Sequence, residues 1–422
     1  MTLRFFSGGA GTGKTYQVML ALAEYLDRVP LLDGQKVLAL TYMHGSRRRL
    51  HERLSTIRQV SNKFECLVID SLAWRVVSRW RSLLTSMGFN FPVIGDFNRV
   101  CEGAALLLAE DIVTRWVTAT YPVMILDEAQ DLDTVRLGIV QALSRHIEVI
   151  AAADEFQCLE PTLRPNPTST WLEGACVPEN LIVPQRTNQR ELLDAAHAIR
   201  MGNAPVSGRE FQIAATARAA LAGTFLANAI AWYGRGHTVA FITPATGRFP
   251  TQVTDWVAAN TTRKNNGPFQ IKWEHSESQA IAKYLDGLQL PDRADATHFD
   301  RLLVATGDDR TAKDVGHWLD IQRRTQGRIE FSKEEIVEAI QQSFSNRKHS
   351  NATTQRMPLA MTIHGAKNRE FDVVIVLWPA SMGVGGNADQ KRRLLYNAVT
   401  RAKSRCLVLV QAQDALLQPP FT

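Results

Sequence analysis

Within its first fifteen residues the chain reads SGGAGTGKT, residues 7–15. Gly8-x-x-x-x-Gly13-Lys14-Thr15 has the spacing of a loop whose backbone N–H groups wrap phosphates, whose lysine reaches the terminal phosphates and whose hydroxyl holds Mg²⁺. Gly8, Gly9, Ala10, Gly11, Thr12 and Gly13 form the expected cradle. A second cluster is VMILDEAQD, residues 123–131, an apolar run ending in the adjacent carboxylates Asp127 and Glu128. Beside a phosphate loop the first can share the Mg²⁺ with Thr15, while the second can orient and deprotonate an attacking water. Adjacent acids also cap helices, but the apolar strand ahead of these two favours the chemical role.

Such groups need rigid supports on both sides. LRFFS before the loop reads as a strand and TYQVMLALAEYL after it as a helix, with Val18, Leu20, Leu22 and Leu26 apolar, so that a helix N-terminus faces the anion. Apolar runs of strand length recur at 36–42, 65–70, 122–131 and 147–154, and again at 238–244, 359–367, 371–379 and 405–412. Longer helical stretches separate them, which is the α/β alternation of parallel sheets covered on both faces. The tracts LEPTLRPNPTSTW (159–171) and CVPENLIVPQRT (176–187) divide the halves. A boundary near residue 180 is expected, giving an N-terminal domain over 1–180 and a C-terminal domain over 181–422. Residues 75–120, mainly helical in character, and 286–352, polar and charged, fit neither sheet and read as short insertions.

At 422 residues the chain is too long for one ordinary core. Its 48 Lys and Arg against 42 Asp and Glu leave a net charge of +6. Basic clusters at 45–54, 74–84 and 390–405 suit a polyanionic partner, although a solvated charged face gives the same pattern. Five scattered cysteines form no C-x-x-C pair, so neither a zinc site nor a disulfide framework is indicated, and a reduced, cytoplasmic protein is expected. The first strand begins almost at Met1, so no cleavable signal is expected. No run approaches the ~20 apolar residues of a membrane span, so no membrane partner is expected.

GGAGTGKT, DEAQD, MTIHGAKNREFDVVIV and RRLLYNAVTRAKSRCLVL, in that order, resemble the signature motifs of superfamily 1 helicases of the UvrD/Rep type. The resemblance implies two RecA-like P-loop domains that bind ATP at their interface and walk along single-stranded DNA. It makes Lys14 the phosphate ligand, Thr15 and Asp127 the Mg²⁺ ligands and Glu128 the general base. Gln157 in ADEFQCL matches the glutamine that senses the γ-phosphate. Arg186 in PQRTNQREL and Arg401 in VTRAK match two arginines brought to that phosphate by the second domain, where they neutralise charge as arginine fingers do. Glu370 matches an acid that contacts the nucleotide ribose. For DNA, the resemblance offers Tyr42, His44 and the adjacent Arg47, with Ser71, Thr362 and His364. An aromatic with basic neighbours suits sequence-tolerant single-strand binding, and Tyr42 is equally compatible with a place in the core at a strand end.

The chain also departs from this family pattern. Gln185 stands where a base-stacking tyrosine is usual, and Tyr16 where an arginine commonly follows the loop threonine; Tyr16 is therefore the expected partner of the purine. The aromatic-rich run after Gln157 is replaced by CLEPTLRPNPTSTW, and AKGLEF has become AKNREF. Two functions follow as expectations. One is an ATP- and Mg²⁺-dependent translocase or helicase on single-stranded or tailed duplex DNA, moving 3′ to 5′. The other is a DNA-activated ATPase switch that regulates a partner such as a nuclease without processive unwinding.

Overall fold

The computed structural model describes residues 3–422 except 43, 61, 91–95, 235, 275–276, 308, 334, 338, 342, 345–357 and 383–386. It comprises two compact units. The first is made of Met1–Ile69, Asp111–Glu274 and Arg356–Thr422, and the second of Asp70–Glu110 and His275–Gln355.

Among the described residues the first unit holds two six-stranded sheets. In chain order, one is built from β1 (Leu3–Gly8), β2 (Val37–Thr41), β3 (Phe64–Val68), β4 (Val123–Leu126), β5 (Glu148–Ala153) and β6 (Glu179–Leu181). Their spatial order is β3-β2-β4-β5-β1-β6, and every neighbouring pair is parallel. The strand carrying the phosphate loop thus lies between β5 and β6, with the ends of β4 and β5 on the same sheet edge. In such sheets ligands collect outside the carboxyl ends of the strands. The helix Lys14–Arg28 buries Val18, Met19, Ala21, Leu22 and Leu26 against Phe6, Val37, Ile125 and Ile150, which fixes the loop relative to the sheet.

The other sheet contains β7 (Phe211–Ala215), β8 (Val239–Thr243), β9 (Lys272–Trp273), β12 (Leu359–Thr362), β13 (Phe371–Trp378) and β14 (Ala402–Val410). Its order is β7-β14-β13-β8-β12-β9, again parallel throughout. The central strand β13 shows why its sequence is an unbroken apolar run. Val374, Val376 and Trp378 pack on one side with Leu395 and Ile199, while Val373, Ile375 and Leu377 pack on the other with Leu226 and Val253. Successive side chains point to opposite faces, and both faces are covered by helices. The fold class is therefore α/β, with parallel sheets flanked by helices.

The strands that carry no apolar signature lie at edges. β6 reads ENL with its first two residues exposed, β7 buries only Phe211 fully, and β9 has only two residues. An edge strand needs few apolar residues because no second neighbour shields it. The second unit has its own core of Phe299, Leu303, Val315, Leu319, Phe331, Ile336 and Ile340 around a short antiparallel pair, β10 (Arg293–Asp295) and β11 (Glu330–Ser332). In its other segment Arg99 lies 3.6 Å over the ring of Phe89.

Candidate active site

The loop after β1 is shaped by glycines that nothing larger replaces. A Cβ on Gly8 would stand 2.7 Å from the Leu181 carbonyl oxygen of β6. Gly11 has φ +76°, and a Cβ there would meet the Cβ of Arg186 at 2.7 Å. The Gly11 carbonyl accepts N–H bonds from Gln185 (2.6 Å) and Arg186 (3.2 Å), so the segment leaving the first sheet is strapped onto the loop. Lys14 is buried, its ammonium donating to the carbonyls of Gly8 and Gly9 at 2.9 Å each.

Thr15 Oγ1 donates to Asp127 Oδ2 at 3.1 Å, which unites the two motifs recognised in the sequence. Burial, reinforced by the neighbouring Glu128 charge, pushes the Asp127 carboxyl up to about 6. A buried carboxylate beside a hydroxyl, raised by lack of solvent, is what a divalent cation relieves, so these residues fit Mg²⁺. Burial acts to raise Glu128 too, but Lys14, the Gln130 amide, Lys367 and Arg401 together hold it below the ordinary glutamate range. Its Oε2 accepts from Gln130 Nε2 at 2.6 Å. Glu128 sits at φ 56°, ψ 43°, a left-handed conformation that a glutamate adopts only where its surroundings impose it.

The second sheet's elements bring arginines to this edge. Arg401 is 2% exposed; its Nε donates to the Asn397 carbonyl at 3.0 Å and its Nη2 faces Gln157 Oε1 at 3.5 Å. Burial, together with nearby Arg186, lowers its pKa to about 9, while Glu128 opposes that shift. Arg186 donates through Nε to Glu370 Oε1 at 3.0 Å and through Nη1 to the Thr400 carbonyl at 2.6 Å. Burial acts to raise Glu370, yet Arg186, Arg49 and Lys403 hold it below its ordinary value. Lys14, Thr15, Asp127, Glu128, Gln157, Arg186, Arg401 and Glu370 therefore share one neighbourhood. It can bind a polyphosphate, hold a cation, accept a proton from water and neutralise developing negative charge.

Other expected positions are dispersed. Tyr16 is 59% exposed on the helix that opens at Lys14. Tyr42 is 38% exposed, with the Arg136 guanidinium 5.6 Å from its ring centre, so it is not a core residue. Arg47 is half-buried, Thr362 Oγ1 accepts from the Gly365 N–H at 3.1 Å, and His364 is exposed. Ser71 is exposed in the second unit. The His44 side chain lies outside the described residues. Asn368, where the family pattern has glycine, has φ 61°; asparagine is among the side chains that best tolerate that region, which explains the exchange.

Residues that the motif reading passed over also belong here. Lys367 is bound to Asp131 at 2.7 Å, both largely buried. It stands within MTIHGAKNREF, where no neighbour in sequence marks it as the partner of a buried carboxylate. Arg49, counted in the sequence as one of a basic cluster, feels burial first and then Glu370, Arg186 and Glu128, so it faces this neighbourhood.

Residues 2–161 match the family model described as an AAA domain, and residues 359–409 match that of the UvrD-like helicase C-terminal domain. The C-terminal match is to a helicase domain of the UvrD-like kind, in line with the resemblance to superfamily 1 helicases of the UvrD/Rep type. The chain carries helicase-type ATPase domains, the first of them a nucleotide-binding one. No curated protein matches it. Among solved structures, an arterivirus nonstructural protein 10, a helicase in complex with DNA, is similar at 11% identity with a TM-score of 0.39. That similarity covers 98% of this chain and spans 62% of the viral one. Among the described residues no helix is long and apolar enough to cross a membrane.

Proposed function

We propose that this chain hydrolyses ATP at the edge shared by its two sheets and uses the cycle to move along single-stranded DNA, 3′ to 5′, separating tailed duplexes. The observation that carries this reading is the meeting of Lys14, Thr15, Asp127, Glu128 and Gln157 from the first sheet with Arg186 and, from the second, Arg401. Lys14 and the amides of the Gly8–Gly13 loop hold the phosphates. Thr15 and Asp127 would hold Mg²⁺, whose chemistry is to neutralise phosphate oxygens. Glu128, kept ionised by its cationic neighbours, takes the proton of the attacking water, and the Gln157 amide orients around the terminal phosphate. Arg186, on the segment strapped to Gly11 and held by Glu370 and the Thr400 carbonyl of the second sheet's side, and Arg401, from the second sheet, stabilise charge on the transferring group, so turnover depends on how the sheets are held together. Glu370 would meet the ribose when Arg186 turns to phosphate, and Tyr16 the purine. Tyr42, His44, Arg47, Ser71, Thr362 and His364 are the proposed DNA contacts.

One observation favours a second reading, a DNA-activated switch acting on a partner such as a nuclease. The run after Gln157 is consumed in packing: Leu159 joins the second sheet's core, and Asn166 caps the helix Pro167–Ala175 while donating to the Gln130 carbonyl at 2.8 Å. The one aromatic of this run, Trp171, lies half-buried within that helix. ATPase rates with and without single-stranded DNA, followed by strand displacement on 3′- and 5′-tailed duplexes, separate the two. A motor displaces the 3′-tailed substrate; a switch turns over ATP and displaces neither; absence of DNA-stimulated turnover defeats both.

A further inference from the structure

One group of side chains joins the two sheets through residues given no role above: Asp154 and Tyr396, which stand inside ADEFQCL and RRLLYNAVTRAKSRCLVL, and Arg200, which lies outside every motif. Asp154 follows β5 and is 1% exposed. Its Oδ1 accepts from Arg200 Nη1 at 2.8 Å and from the Phe156 N–H at 3.2 Å. Its Oδ2 accepts from Gln157 Nε2 at 3.0 Å and from the Tyr396 hydroxyl at 3.4 Å. Arg200 lies at the end of the helix Arg190–Met201 and Tyr396 within the helix Ala388–Val399, both packed on the second sheet.

The Tyr396 hydroxyl has a second task. It accepts the Ala10 N–H of the phosphate loop at 2.8 Å and Arg200 Nη1 at 3.3 Å, so its one proton and both lone pairs are engaged. Burial, with Asp154 adding to it, pushes this phenol up to about 12, and it keeps the proton it gives to Asp154. Asp154 also reaches the hydrolytic carboxylate. Its backbone N–H donates to Gln130 Oε1 at 3.0 Å, and the same amide donates to Glu128 through Nε2.

We propose that Arg200 and Tyr396 are positioning residues of the hydrolytic site, acting through Asp154 to fix the Gln157 amide and directly on the Gly9–Ala10 turn of the phosphate loop. With Nε2 committed to Asp154, the Gln157 carbonyl oxygen is turned to Arg401, so the sensing glutamine and the arginine are aligned by one carboxylate. The phosphate loop is pinned by the same pair. Chemistry in the first sheet is thereby made conditional on the seating of two helices of the second. This rests on the reading that the site hydrolyses ATP.

The test uses the full chain with Tyr396→Phe, which keeps the ring and removes the hydroxyl, and Arg200→Gln with Arg200→Lys as its conservative partner. Expected for Tyr396→Phe and Arg200→Gln is a fall of about tenfold or more in kcat for DNA-stimulated ATP hydrolysis, with affinity for a fluorescent ATP analogue within about threefold. Arg200→Lys should recover part of the loss. The double variant should lose less than the product of the single losses, because both act through Asp154. Unchanged kcat in both single variants overturns the proposal, and so does a parallel loss of kcat, affinity and melting temperature. Amide hydrogen exchange over residues 8–13 gives a readout that needs no turnover: Tyr396→Phe should exchange at least about tenfold faster there. If the wild-type chain hydrolyses no ATP, the functional reading fails while faster exchange still upholds the pin; unchanged exchange overturns the pin whatever the ATPase does.

Discussion

In the first sheet the chemical groups follow directly on strands: Gly8 closes β1, Asp127 follows Leu126 of β4, and Asp154 follows Ala153 of β5. In the second sheet they sit where helices begin or end. Arg186 lies ahead of the helix Arg190–Met201, and Arg401 falls between the helix Ala388–Val399 and β14. A parallel sheet buried on both faces fixes its strand ends through backbone hydrogen bonds. Arg401 is fixed by what its side chain touches and Arg186 also by its N–H on the Gly11 carbonyl, and side-chain contacts reach across to the first sheet, as Arg401 to Gln157 and Arg200 to Asp154. Substitutions in the first sheet should therefore change chemistry within an intact frame. Those in the second should change chemistry and the coupling between sheets together.

The sharpest way to break this contrast is Arg401→Ala. An arginine on a transferring phosphoryl group is worth about 10³ or more in rate, so kcat should fall by that order while affinity for a fluorescent ATP analogue changes little. Because Arg401 is buried, Arg401→Lys serves as a companion that keeps charge in the space. Recovery of folding without recovery of rate places the effect in the guanidinium geometry. A change confined to KM would remove Arg401 from the transition state.

Next in size is Glu128→Gln, which keeps the length and the partnership with Gln130 but removes basicity. Turnover should drop at least about a hundredfold with ATP and single-stranded DNA still bound, since general-base catalysis is typically worth 10² to 10⁴. Near-normal single-turnover rates would show that Glu128 is not the base.

The same contrast governs what the sequence made legible. Strand-end chemistry is written locally: an apolar run, then Gly8 to Thr15, or Asp127 and Glu128, within a few residues. Arg401 and Arg186 were readable only through the resemblance, because nothing near them in sequence says which distant edge they meet. Arg200 carried no local sign, since an arginine closing an amphipathic helix is an ordinary feature, and Tyr396 stands inside RRLLYNAVTRAKSRCLVL without a role that the resemblance names. Their meaning comes from Asp154, 46 and 242 residues away. The edge strands β6, β7 and β9 escaped notice for a related reason. Exposure on one side removes the apolar run by which a strand is recognised.

A smaller effect is expected where the two sheets' segments touch through backbone alone. Gly11→Ala places a methyl group against the Arg186 Cβ and imposes a positive φ on an L-residue. The strap that carries Arg186 must shift, and DNA-stimulated hydrolysis should fall roughly ten- to a hundredfold. Full activity with an unchanged ATP requirement would show that the strap's seat on Gly11 is incidental to where Arg186 acts.

Smallest of all is the effect at Tyr16, which lies in the first sheet's frame yet beyond its strand ends, where neither kind of fixation applies. Its ring is 59% exposed one residue past Thr15, and the strap residue Gln185, held to Gly11, offers no aromatic surface to share the purine. A ring stacked on a base contributes roughly 0.5 to 1.5 kcal/mol beyond burial, so Tyr16→Ala should weaken nucleotide binding several-fold, up to about tenfold. Tyr16→Phe should bind like wild type, because the face of the ring and not its hydroxyl is used. Stacking reads shape rather than base edges, so ATP and GTP should be lost to a similar degree, and kcat at saturation should hold. Titration of the two variants with fluorescent ATP and GTP analogues measures all three points together. Equal affinities for wild type and Tyr16→Ala would mean that the base is held by other groups, and that an aromatic one residue beyond the metal-binding threonine adds nothing to nucleotide affinity.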